Sequence, residues 1–168
     1  MKRVTWISLI AASAGVLTFA LVTGSSAGNR GSSDAGGAET TLTMINQPVN
    51  ETGFDINGDQ ELTPADGWVS NSDLLKHGQV VGHVASTCQY IQVRADGMGG
   101  VIQCVSTAQL SGGQIAIQSR IRLVEGQSKS VDSAITGGTG DYSTVRGYIT
   151  SEPVPDSMNS KLTFHLMS

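Results

Sequence analysis

Residues 114–124 alternate in polarity. Ile115, Ile117, Ile121 and Leu123 share one parity, Gln114, Gln118, Arg120 and Arg122 the other, and only Ser119 interrupts the apolar set. A period of two places successive side chains on opposite faces of a strand, and it would scatter the apolar residues around a helix. The pattern returns near the C-terminus, where Leu162, Phe164 and Leu166 interleave with Thr163 and His165, and in the run Thr40–Ile45, where Leu42 and Met44 oppose Thr41 and Thr43. No long amphipathic helical stretch follows residue 30, and 21 glycines in 168 residues supply the turns that many short strands require. The chain reads as all-β, with one domain after its N-terminus is set aside.

That N-terminus has the pattern of a secretory signal peptide. Met1-Lys2-Arg3 is basic, Val4–Val22 is almost unbroken apolar sequence, and Ser25-Ser26-Ala27 supplies the small residues of a cleavage site before Gly28. An uncleaved anchor is the alternative, because the apolar run approaches a bilayer span. Residues 28–39 are Gly/Ser-rich and nearly devoid of apolar side chains, as expected of a flexible linker. The expected organisation is therefore signal or anchor over 1–27, linker over 28–39 and barrel domain over 40–168, with a secreted or extracytoplasmic location. A net charge of −4 and no basic cluster after residue 3 argue against nucleic acid or an anionic membrane surface as partner.

Gln79–Val93 and Val101–Leu110 form a strand pair around the turn Arg94–Gly100. Cys88 and Cys104 lie equidistant from Asp96, so an antiparallel pairing sets them opposite each other, at about 4.5–5.5 Å between Cα atoms, within disulfide reach. An oxidising compartment would close the bond. The same register pairs Ser86 with Ser106, Val84 with Ala108 and Tyr90 with Ile102 on the cysteine face, and Gln89 with Gln103 and Thr87 with Val105 on the other.

Few residues carry recognisable chemistry. Asp55, Asn57, Asp59 and Asp66 occupy positions 1, 3, 5 and 12 of an EF-hand-type loop, but Gln60 stands where its turn needs glycine, and neither flank is helical. A polar loop between the first two strands is the preferred reading, with calcium the alternative. Asn50-Glu51-Thr52 is a glycosylation sequon, which matters in a eukaryotic source. His77, His83 and His165 have no metal-ligand spacing, and each is read as solvated or satisfied. Zinc-helix and P-loop motifs are absent. No metal or cofactor is expected.

Residues 132–166 carry a resemblance. The run Thr136-Gly137-Gly138-Thr139-Gly140-Asp141-Tyr142, then Val145-Arg146-Gly147, and finally Leu162-Thr163-Phe164-His165-Leu166 resembles the allene oxide cyclase-like and dirigent-like β-barrel superfamily, including its bacterial barrel cyclases. The likeness extends, with decreasing clarity, back to about Gly53. It implies an antiparallel up-and-down barrel of about eight strands, a fold that the Gly-rich turn, strand, polar loop and terminal strand also suggest. Arg146, in this glycine-rich corner, is expected to bond backbone carbonyls or a nearby carboxylate.

If the barrel closes, its lumen candidates are Val84, Ser86, Tyr90, Ile102, Ser106, Ile115, Ile117, Ser119, Ile121 and Leu123, a mostly apolar lining dotted with hydroxyls. The resemblance implies what such a lumen does. It would confine a small apolar metabolite, polyketide- or oxylipin-like, so that cyclisation, including [4+2] cycloaddition, gives one stereoisomer without a cofactor. It also implies that the barrel pairs or forms trimers, making a homo-oligomer an expectation. A non-catalytic carrier or structural surface barrel is the alternative, and the sequence assigns no catalytic residue.

Overall fold

A computed structural model describes residues 39–124 and 129–167. The signal-peptide and linker readings lie outside the described residues, apart from Glu39, which opens the first strand. Eight strands follow in order: β1 (Glu39–Phe54), β2 (Gly67–Lys76), β3 (Gln79–Val93), β4 (Gly99–Leu110), β5 (Gly113–Val124), β6 (Val131–Gly138), β7 (Arg146–Pro153) and β8 (Ser160–Met167). Each pairs antiparallel with its neighbour in sequence, and β8 returns to β1, closing the barrel. Closure runs from Glu39 opposite Met167 to Asn46 opposite Ser160 and leaves no free sheet edge among the described strands.

The β3–β4 hairpin has the register set by the cysteines. Cys88 faces Cys104, and the pairs Ser86–Ser106, Val84–Ala108, Tyr90–Ile102, Gln89–Gln103 and Thr87–Val105 follow from it. The two sulfurs are bonded, with Cα atoms 4.1 Å apart.

The first strand is longer than its opening alternation suggests. Beyond Ile45 it continues to Phe54, because Asn50–Phe54 supply the partners of Gly67–Asn71 on β2. The register shifts between Pro48 and Asn50, leaving Val49 as an extra residue. Proline cannot donate to the ladder, so a bulge is where a strand tolerates it. The bulge also resets parity. Before it Leu42, Met44 and Asn46 point inward; after it Glu51, opposite Ser70, takes the inward side.

The Gly-rich turn is sharper than a loop. β6 ends at Gly138, and Gly140–Tyr142 form one turn of 3-10 helix before the chain reaches β7. A side chain at Gly138 would run into the carbonyls of Tyr142 and Gln114, whereas one at Gly137 would meet open space. Close backbone approach, rather than the run of glycines as such, fixes this corner.

Apolar side chains stopper one end of the barrel. Phe164, Leu74 and Ile115 are fully buried there, packed with Met44, Ala108, Leu110, Ile135, Ile149 and Leu166. This is the end bearing the β2–β3, β4–β5 and β6–β7 connections. Toward the other end, a second cluster gathers around the disulfide, where Ile102 packs on Cys88 and Cys104 with Trp68, Tyr90, Ile121 and Leu123 against it.

Candidate functional site

Between the stopper and the opposite end lies a chamber of about 180 Å³. Its wall carries Ser70 and Ser72 from β2, Ser86 from β3, Ser106 from β4, Ser133 from β6, Ser151 from β7 and Ser160 from β8, together with Asn46 from β1. Four aliphatic residues, Val84, Ile117, Ile149 and Leu162, complete it. Alternation puts these serines inside. Each shares parity with a stopper residue on its own strand, as Ser72 does with Leu74 and Ser151 with Ile149. The chamber is therefore richer in hydroxyls than the mostly apolar lining expected from β3–β5 alone. Five of its seven serines lie on strands from which the sequence named no lumen candidate.

The ten lumen candidates divide into groups. Val84, Ser86, Ser106 and Ile117 are on the chamber wall. Ile115 belongs to the stopper. Tyr90, Ile102, Ile121 and Leu123 pack around the disulfide, and Ser119 is the register partner of Cys104.

Among the described residues no ionisable side chain lines the chamber. The hydroxyls of Ser86 and Ser106 on its wall are hydrogen-bonded to each other at 2.8 Å. Ser72 is 9% exposed and lines the chamber. With seven hydroxyls on its wall, the chamber is equipped to exchange hydrogen bonds with a guest or with water. Engineered apolar cavities of about 150 Å³ take up benzene, which puts this chamber in the range of one small ring.

Toward the end that bears the β1–β2 loop lies a cleft of about 440 Å³ lined by Phe54, Trp68, Tyr90, Glu51, Asp55, Glu61, Leu62 and Asp66. Trp68 and Tyr90 meet edge to face with ring centroids 6.0 Å apart. Glu51 adjoins the chamber as the register partner of Ser70.

The β1–β2 loop is tied over this cleft by Asp66. Its Oδ1 accepts the Ile56 N–H at 2.9 Å, and its Oδ2 accepts the Thr63 N–H at 2.7 Å and the Thr63 hydroxyl at 2.9 Å. The adjoining backbone bonds to Tyr90 in both directions, Ala65 N–H to Tyr90 C=O at 2.7 Å and Tyr90 N–H to Asp66 C=O at 2.8 Å. The donated N–H groups of Ile56 and Thr63 hold the Asp66 carboxyl below its ordinary value near 3.8. Asp55 turns inward on the loop, accepting the N–H groups of Gly58 at 2.7 Å and Gln60 at 2.9 Å. Among the described residues no three acidic, histidine or cysteine side chains converge as a metal site.

The histidines lie away from the lumen. His83 Nδ1 is 2.9 Å from Asp73 Oδ1. His165 Nδ1 is 2.7 Å from Glu39 Oε1, and its ring stacks on Tyr148 at 4.2 Å. His77 occupies the exposed β2–β3 turn with φ of 51°. Arg146 is exposed at the start of β7, and the backbone or carboxylate bond expected of it is not formed with the described residues.

Residues 43–164 match the family model of the allene oxide cyclase barrel like domain. No curated protein sequence matches the chain. Several solved structures do. A pyocyanin demethylase is similar at 24% identity and a TM-score of 0.65, over 76% of this chain and 100% of that one. The Diels Alderase AbmU from Streptomyces koyangensis aligns at 13% identity and a TM-score of 0.55, over 79% of this chain and 68% of its own. The pterocarpan synthase dirigent protein GePTS1 gives 15% identity and a TM-score of 0.56, over 77% and 88% respectively. At these identities the likeness is one of fold.

Proposed function

Since this chain belongs to the allene oxide cyclase-like barrel family, we propose that it binds a small molecule in its lumen and steers that molecule's intramolecular cyclisation, in the manner of a barrel cyclase or dirigent protein. The observation that carries this reading is the chamber of about 180 Å³, closed behind by the Phe164 cluster and walled by uncharged groups. Such a wall has no side chain suited to general acid–base work at neutral pH. What it offers is confinement, which lowers a barrier by pre-ordering the reacting ends of a flexible chain. A polyketide- or oxylipin-like substrate exceeds the chamber, so one reacting end would sit inside while the remainder lies against Trp68 and Tyr90. A [4+2] closure suits this arrangement because it needs alignment and no proton transfer.

The same lack of ionisable groups favours a non-catalytic carrier as the second reading. One experiment separates the two. A linear polyene with a tethered dienophile is incubated with the protein, and products are resolved by chiral chromatography. A steering barrel gives an enantiomeric excess that Ser151→Leu, which fills the chamber, removes. A carrier binds the polyene and leaves rate and product ratio unchanged.

Export belongs to the same proposal. The Cys88–Cys104 bond suits an oxidising compartment, and residues 1–27 have the pattern of a signal. A mature protein beginning at Gly28 in the medium would support it; retention of Met1 in a cytosolic fraction would refute it. Self-association is proposed through the outer wall, where Val69 (45% exposed) and Val105 (56% exposed) stand in one row with Thr52 and Thr87.

A further inference from the structure

The size of the chamber and its polarity have different origins. Alanine at Ser70, Ser86, Ser106, Ser133, Ser151 and Ser160 would leave at least as much space; serine adds one donor and two acceptor lone pairs at each position. Ser86 and Ser106 use one such pairing on each other. The hydroxyls stand on both sides of the lumen. Ser70, Ser86 and Ser106 are register partners in one row across β2, β3 and β4, and Ser72 lies one step nearer the stopper. Ser133, Ser151 and Ser160 come from β6, β7 and β8. Because the eight strands close in sequence order, β2–β4 face β6–β8 across the barrel. Asn46 on β1 and Ile117 on β5 stand between the two arcs. The aliphatic part of the wall lies toward the floor: Val84 and Ile149 belong to the stopper cluster, and Leu162 packs against it.

A ring resting on this floor presents its edges to hydroxyls on two opposite sides. A hydrocarbon ring would cover both arcs and return no hydrogen bond, and a ring with oxygen on one edge would satisfy one arc alone. We propose that the portion of the ligand held in the chamber is an uncharged, ring-sized group bearing oxygen on opposite edges, as in a 1,4-diol or 1,4-dione. The assignment rests on the reading of the chamber as a small-molecule site and gives that site a substrate class: the enclosed end is oxygenated, and any long apolar portion lies outside it. A charged group is disfavoured there, because among the described residues the wall offers no counter-ion and an unpaired charge taken out of water is costly.

The test uses the full chain and four probes built on one ring: toluene, catechol, hydroquinone and 4-hydroxybenzoate. Affinities come from NMR titration with the Ile117 methyl reporting the chamber, and Ser151→Leu, which fills it, should abolish the shift. Hydroquinone is expected to bind about 5-fold tighter than its isomer catechol, with toluene and 4-hydroxybenzoate weaker than either. The double variant Ser133→Ala/Ser151→Ala, which strips two hydroxyls from one arc, should bring hydroquinone down to catechol and leave catechol within about 2-fold of its parent value. Retained catechol binding also reports that the variant is folded, and each single variant should lose part of the same advantage. Isomers that bind alike, toluene or 4-hydroxybenzoate binding as tightly as hydroquinone, or an advantage that survives the double variant would overturn the assignment. In each of those cases Ile117 still shifts, so the small-molecule reading stands. A chamber that takes up water alone shifts for no probe, and both readings then fall.

Discussion

Cys88 and Cys104 are direct partners across β3 and β4, bonded through their sulfurs and separated by 16 residues of sequence. The bond closes a short loop in the unfolded chain, and Ile102, Trp68 and Tyr90 pack around it in the native one. Replacing both cysteines with alanine should therefore lower stability by about 3 kcal/mol, read as a shift in the urea midpoint. An unchanged midpoint would mean that the unfolded hairpin is already constrained.

Gly137 and Gly138 differ in what surrounds them, although they are adjacent in sequence. Gly137→Ala should be neutral or stabilising by about 0.5 kcal/mol, since its added methyl meets nothing. Gly138→Ala should cost about 1–3 kcal/mol, because the methyl would press on the Tyr142 and Gln114 carbonyls. Paired denaturation curves of the two variants decide this directly.

Phe164 is fully buried in the stopper. Phe164→Ala should destabilise by about 3–5 kcal/mol. It should also deepen the chamber, so that ring-sized probes bind the folded variant at least as well as the parent. Weaker binding at temperatures where the variant is folded would show that the stopper supports the chamber wall instead of merely closing it.

Acid sensitivity follows from two carboxylates held below their ordinary value near 3.8: Asp66 by the Ile56 and Thr63 N–H groups, and Asp96 by its hydrogen bonds from Arg94 and from the Met98 N–H. A lowered native pKa contributes stability that is complete above the unfolded value and is lost as pH falls through the native one. Melting temperature should thus be flat above about pH 5 and decline below about pH 4. Asp66→Asn should melt lower than the parent at pH 7 and show a shallower acid limb. Thermal melts across pH 2.5–7 check both points.

Val105→Glu tests the outer wall. Val69 and Val105 are exposed in one row, so a charge there should shift sedimentation toward monomer, with stability within about 0.5 kcal/mol of the parent. A parent already monomeric at high concentration would remove self-association through this face.

Much of the barrel was legible because alternation is a local signal. Ile115 to Leu123 assigned one wall, and the two cysteines fixed the β3–β4 register residue by residue. The chamber was less legible, for physical reasons. Ser133 and Ser151 lie on strands of eight residues each, too short and too polar for their inner parity to stand out, and Ser160 precedes the Leu162–Phe164–Leu166 alternation that marked its strand. Glu51 was hidden for a different reason. Counting by twos from Met44 assigns it outward, and only the extra residue at Val49 turns it inward. Pro48 was the available hint, since proline inside a strand marks a bulge or an edge.

The Phe164 stopper makes this barrel a cup and not a tube. A guest in the chamber would leave by the end it entered, on the side away from the stopper. Under the proposed cyclisation, a product that still fits the cup would compete for the doorway with the next arrival. The rate of departure, more than the rate of bond formation, would then set the pace of turnover.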